Sequence, residues 1–115
     1  MAAWGKGIKA DFSTDTLGNV YAINLVTKQK RLITTSPLGH LDGIESLGNG
    51  SFVVSDWMAG KVFRVTERPG MATQVEELLS GIKGAADIGL SLDGRTLFLP
   101  EMGDSRVSAW WLESL

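Results

Sequence analysis

The sequence predicts an all-β chain, a partial β-propeller of about two and a half four-stranded antiparallel blades. Three observations predict it. Residues 41–65 lie over residues 86–110 without a gap, at a spacing of 45, and repeats of this length mark stacked arrays or propeller blades. Asp42 falls on Asp87, Ser46 on Ser91, Leu47 on Leu92 and Val62 on Val107, and the apolar triples Phe52, Val53, Val54 and Leu97, Phe98, Leu99 coincide. A partial copy precedes them, with Gly18, Val20, Tyr21 and Ile23 at a constant offset from Gly60, Val62, Phe63 and Val65. Within each copy, short apolar stretches alternate with turn residues, as in successive antiparallel strands. The units run over about 1–37 (incomplete), 38–83 (complete) and 84–115 (incomplete), in one partial-propeller domain.

Taken in order, the first unit is expected to begin inside its second strand, Ile8 to Phe12, and to continue through Asn19 to Asn24 and Lys30 to Thr35, with no innermost strand. The middle unit is complete. Leu41 to Ser46 is its first strand, and Gly48-Asn49-Gly50 forms a hairpin turn because Asn and Gly tolerate positive φ. Ser51 to Asp56 is the second strand, Met58-Ala59-Gly60 a short loop, Lys61 to Thr66 the third strand, and Thr73 to Leu79 the fourth. In that last stretch Val75, Leu78, Leu79 and Ile82 have helical spacing. Lys30 to Thr35, the corresponding place in the preceding unit, lacks it, so a strand is expected. The final unit supplies Ala86 to Ser91, Thr96 to Glu101 and Arg106 to Trp111. Apolar residues at adjacent positions in Phe52-Val53-Val54 and Leu97-Phe98-Leu99 imply sheets covered on both faces. The resulting count of about ten strands falls short of the roughly four to eight whole blades that close a propeller.

Bulk composition narrows the function. A chain of 115 residues suits one domain. Its 11 basic and 13 acidic residues give a net charge of −2, and the basic ones are scattered, so nucleic acid is not an expected partner. No apolar run approaches the roughly 18 residues of a membrane span, and Met1 to Gly5 lacks the apolar centre of a secretory signal. A soluble protein, cytoplasmic by default, is expected. With no cysteine, disulfides, thiolate metal sites and cysteine nucleophiles are excluded.

DGIE followed by GNGSFVVSDWMAGKVFRV, then GAADIGLSLDGRTLFLPEMGDSRVSAWWL, resembles the final blades of the gluconolactonase-like, or senescence-marker-protein (regucalcin), superfamily. The likeness covers nearly the whole chain, most clearly residues 37–112. It implies a six-bladed propeller in complete members, a divalent cation, often calcium, at one mouth of the central channel, and commonly lactone hydrolysis. An Asn or Asp before Gly at the start of an innermost strand often reaches that cation, and Asp42 in Leu41-Asp42-Gly43 matches it. Asp87 occupies the equivalent point, but Ile88 replaces the glycine and the family's last blade does not usually supply a ligand. The ligands on earlier blades have no counterpart here.

The residues alone leave other roles open. Asp42, Glu45 and Asp87 suit a hard cation, but Asp42 and Glu45 are three apart and point to opposite faces of an extended strand unless it bends. Asp42 and Asp87 also suit plain acceptance of backbone N–H bonds. Asp56 and Glu101 end second strands, where capping a turn is the expected job. His40, two before Asp42, could pair with it as a general base, or be a solvated loop histidine. Ser46 and Ser55 lack a nucleophile elbow. Trp4, Trp57, Trp110 and Trp111 suit either core packing or a stacking surface for a small ligand. No phosphate-cradling loop or dinucleotide fingerprint is present.

An incomplete ring exposes flat apolar faces, so a homo-oligomer is expected. Three functions follow: a binding or scaffold module with no chemistry of its own, a metal-dependent lactonase whose site is assembled between subunits, or a truncated remnant of a larger propeller protein.

Overall fold

β-Branched and aromatic stretches separated by Gly and Asn turns form eleven short strands and no α-helix in the computed structural model, which describes residues 1–115. In chain order these are β1 (Gly5–Lys6), β2 (Thr16–Leu17), β3 (Tyr21–Ile23), β4 (Lys30–Leu32), β5 (Leu41–Gly48), β6 (Ser51–Asp56), β7 (Lys61–Thr66), β8 (Gln74–Leu79), β9 (Gly89–Leu90), β10 (Thr96–Glu101) and β11 (Arg106–Trp111). All pairings are antiparallel. No helix is long and apolar enough to cross a membrane.

The middle unit is a four-stranded meander, β5-β6-β7-β8. Asn49 and Gly50 turn β5 into β6 with φ of +52° and +76°, the left-handed pair that matches strand twist in a tight hairpin. Residues 74–79 are a strand despite their helical spacing, because β8 pairs with β7 from Val62↔Leu79 to Thr66↔Gln74. Tertiary hydrogen bonding thus overrides the local pattern. The last unit is a three-stranded sheet, ordered β9-β10-β11.

Two strand assignments need correction. Residues 8–12 are not a strand. They belong to the loop between β1 and β2, and the outermost N-terminal residues take the strand's place: Ala2 bridges Val20, and Met1 exchanges backbone hydrogen bonds with Tyr21. The apolar Ile8 and Phe12 face open space, at 63% and 58% exposure. The expected strand Ala86 to Ser91 is also shorter: only Gly89–Leu90 pairs with β10, with a bridge from Ala85 to Glu101. Asp87 lies in the irregular stretch between.

Cross-strand partners share a face, so the register assigns each side chain to one side of its sheet. On the middle sheet, Val53, Ser55 and Val62 face the last sheet, and Val54, Phe63 and Val65 face the first unit. Two apolar layers result. One joins Val53 and Val62 to Ile88, Leu97, Leu99 and Leu112, and the other joins Leu41, Val54, Phe63 and Val65 to Val20 and Ile33. Each such side chain contributes about 1.5–3 kcal/mol when fully buried. The three units therefore stack as successive blades, with the core between them.

Polar ties reinforce the stacking. Ser55 Oγ, fully buried, accepts the Gly43 N–H at 2.8 Å and donates to the Ala86 carbonyl at 2.8 Å, linking the innermost strand to the next unit. Thr73 Oγ1 donates to the Ile33 carbonyl at 2.7 Å across the other boundary.

The outermost faces are uncovered within these residues. Thr96, Phe98 and Pro100 lie opposite Trp111, Ala109 and Val107 on the outer side of the last sheet. There Phe98, Val107 and Trp111 are exposed, so the two-sided coverage expected for Leu97-Phe98-Leu99 holds on one side only. On the first sheet Tyr21 and Ile23 lie opposite Leu32 and Lys30, with Lys30 Nζ 4.8 Å from the Tyr21 ring centre and Ile23 and Leu32 exposed.

Candidate functional site at the axial mouth

Loops that follow the second strand of each unit converge at one end of the stack, beside the start of β5. The β1–β2 loop brings Ile8 and Phe12, Trp57 follows β6, and Met102 follows β10. With Trp4 and Asp42 they border an open cavity of about 480 Å³. Trp57 and Met102 are repeat equivalents, 45 apart, and Trp57 Nε1 lies 3.2 Å from Met102 Sδ.

Trp4 organises the wall. Its ring centre lies 5.9 Å from that of Trp57 and 5.3 Å from that of His40. Its Nε1 donates to the Phe12 carbonyl at 2.8 Å, holding the β1–β2 loop. Phe12 itself has φ of +68°, a region where an aromatic residue pays of order 1–2 kcal/mol. The Trp4 bond to its carbonyl and the bond from its own N–H to the Lys9 carbonyl, 2.9 Å, hold it there.

Asp42 and Asp87 come together where β5 approaches the last unit. Gly43 makes this approach possible, because a β-carbon there would stand 2.5 Å from the Ile88 nitrogen and 2.9 Å from Asp87 Cα. A register shift between Leu41 and Ile44 bends the strand at this point, as a bulge does. Loss of hydration pushes the Asp42 carboxyl above its ordinary range, and repulsion from Asp87 adds to it. Neither Asp42 nor Asp87 has a basic partner among the six ion pairs.

The other candidates take structural places. Glu45 lies opposite Val53 on the face toward the last sheet and does not join Asp42. Asp56, 2% exposed, accepts the Ala59 N–H at 3.1 Å, which is turn capping. Glu101, equally buried, forks instead onto Arg106 with two bonds of 3.1 Å, and this pairing holds its carboxyl below the usual range. His40 is hydrogen-bonded to Thr14 Oγ1 at 3.0 Å and packs on Trp4, so it is neither a solvated loop residue nor paired with Asp42. Ser46 bonds the Gly48 N–H. Trp4 and Trp57 meet at the mouth. Trp110 packs on the layer between middle and last sheets, and Trp111 lies on the outer face.

A calcium ion takes about six to eight oxygen ligands. The residues at the mouth supply two carboxylates, and no group of three His, Cys, Asp or Glu side chains converges there or elsewhere. These residues therefore do not make a complete protein cage for such an ion.

Sequence repeats alone identify Asp42 and Asp87 as equivalent. Phe12 and Ile8 escape notice because their apolar character suggests a strand. The signal that would have found Met102 is its equivalence to Trp57. Comparison with protein families, with characterised proteins and with solved structures finds no match to this chain.

Proposed function

We propose that this chain is a binding and scaffold module built of gluconolactonase-like propeller blades, completed by self-association, with a small-molecule site at its axial mouth and no chemistry of its own. One observation carries the reading: the outer face of the last sheet repeats the face by which the middle sheet grips its neighbour. Val53 and Val62 are fully buried there, and their equivalents Phe98 and Val107 are exposed. A face patterned for a blade takes a blade, and the first sheet of a second copy presents Tyr21, Ile23 and Leu32 for it. Such head-to-tail contact is heterologous, closing into a ring if the rotation permits. Light scattering at micromolar concentration tests this. An assembly that Val107→Glu dissociates, with far-UV circular dichroism unchanged, supports it, and a monodisperse wild-type monomer overturns it.

A second reading, a divalent-metal-dependent lactonase, draws on the Asp42–Asp87 pair. Because two carboxylates are too few, it requires ligands from a second copy. Calcium-dependent hydrolysis of a simple lactone, lost in Asp42→Ala, supports it. Absence of metal uptake in calorimetry eliminates it.

A further inference from the structure

The axial mouth combines two kinds of group that favour the same guest. Trp4, Trp57 and Phe12 border the cavity together with Asp42. Aromatic faces carry the negative part of a quadrupole and attract a cation lying within about 6 Å of the ring centre. Asp42 adds a full negative charge at the rim, and Asp87 stands beside it. The lysines of the bordering loops are engaged elsewhere, Lys9 with Asp15 at 3.3 Å and Lys83 with Asp104 at 3.7 Å. No ion pair within the protein reaches Asp42 or Asp87.

Hydration decides which cation fits. A divalent metal ion is held by many oxygens and gives up its water only to such ligands, and this wall is made of indole, phenyl, alkyl and thioether groups with one carboxylate. An organic ammonium carries its charge on a weakly hydrated, partly apolar surface, which the rings can replace. Five of the six bordering side chains are hydrophobic, so the guest must also bring carbon. The left-handed backbone at Phe12, tied down by Trp4, keeps its side chain at the rim instead of in a core.

We propose that the axial mouth binds a compact organic cation, an alkylammonium or quaternary ammonium group, seated among Trp4, Trp57 and Phe12 with its charge against Asp42. The proposal rests on the mouth being a ligand site, as inferred above, and names the class of ligand. The upward shift of the Asp42 carboxyl is consistent with it, because a bound cation relieves both the lost hydration and the repulsion from Asp87.

Titration of the full chain at neutral pH with choline and with its neutral tert-butyl isostere, followed by tryptophan fluorescence and calorimetry, tests the proposal. Choline is expected to bind saturably and about tenfold or more tightly than the isostere, the ratio a desolvated cation–π contact supplies. Asp42→Asn, at an exposed position that leaves the fold intact, is expected to weaken choline about tenfold and leave the isostere unchanged. Trp57→Leu is expected to weaken choline and to reduce the fluorescence response to that of Trp4. Equal binding of the two probes, insensitive to Asp42→Asn, overturns the cation and leaves an apolar ligand site. Failure of both probes to bind overturns the cation and leaves the mouth with no demonstrated ligand, while the mass measurement judges self-association separately. Calcium chloride alone displacing choline, with Trp57→Leu without effect on the calcium, overturns the proposal in favour of a metal.

Discussion

The middle and last sheets follow one 45-residue pattern and end in different states. Val53 and Val62 of the middle sheet are 0% exposed, whereas their equivalents Phe98 and Val107 are 42% and 65% exposed. The side chains are of similar kind, so the difference lies in the neighbour. Ser55 shows the same thing in polar terms: it clamps the Ala86 carbonyl of the following unit, and its equivalent, Pro100, carries no hydrogen-bonding side chain. The innermost strands differ too, eight residues in β5 against two in β9. Gly43 lets β5 run close to Asp87, and Ile88, its equivalent, is itself buried in the layer between the sheets. A blade is thus specified by its own repeat but finished by the sheet beside it.

The largest expected effect separates the two faces of β10. Leu97→Ala removes a fully buried side chain from the layer against the middle sheet and is expected to lower stability by about 2–5 kcal/mol in chemical denaturation. Phe98→Ala, one residue on but facing outward, is expected to cost the protomer less than about 1 kcal/mol, well below the roughly 3–5 of a fully buried Phe. Equal losses would show that the outer face is covered in solution, by the protomer itself or by a second copy.

Next comes the inner strand. Gly43→Ala drives a methyl group into the Ile88 and Asp87 backbone and is expected to cost about 1–3 kcal/mol by the same measurement. Gly89→Ala, one place beyond the equivalent of Gly43, meets nothing within 4 Å and is expected to be near neutral. If the two behaved alike, the close approach at Gly43 would not be what joins these units.

A smaller, opposite effect is expected at Ser105. It has φ of +50° where its repeat equivalent, Gly60, has +66°. Ser105→Gly is expected to raise stability by up to about 1 kcal/mol, the left-handed strain relieved less the added freedom of the unfolded chain. Thermal denaturation checks the sign.

The smallest effect is at Asp42. Its folded carboxyl lies above the ordinary 3.8, so the folded chain holds this proton more tightly than the unfolded one. The associated stability is complete below pH 3.8 and is lost as pH rises through the higher folded value. Asp42→Asn keeps the neutral form at every pH. A slightly higher Tm than wild type is therefore expected at neutral pH without ligand, shrinking toward zero below pH 3.8. A constant difference across that range would deny the shift its role.

Strands Ser51–Asp56, Lys61–Thr66, Thr96–Glu101 and Arg106–Trp111 are readable directly, because apolar runs bounded by Gly and Asn leave few other options. Ile8 to Phe12 misleads for a physical reason. Apolar side chains that border an open mouth carry the same local signal as those of a strand, and only the pairing of Met1 and Ala2 with β3 shows that the strand position is already taken. Helical spacing at Val75 to Ile82 misleads less, since the repeat speaks against it. Asp42 and Asp87 are visible as a repeated pair, whereas their meeting depends on the bend at Gly43.

The order of residues alone determined the blade pattern, the tight turn at Asn49-Gly50 and the equivalence of Asp42 with Asp87, because these follow from backbone preference and from periodicity along the chain. Only the tertiary structure decided which faces are covered, where Phe12 and Met102 meet Trp57, and that Asp42 is left without a basic partner. Burial and electrostatics act between segments far apart in the chain, and no local pattern records which segments will face each other.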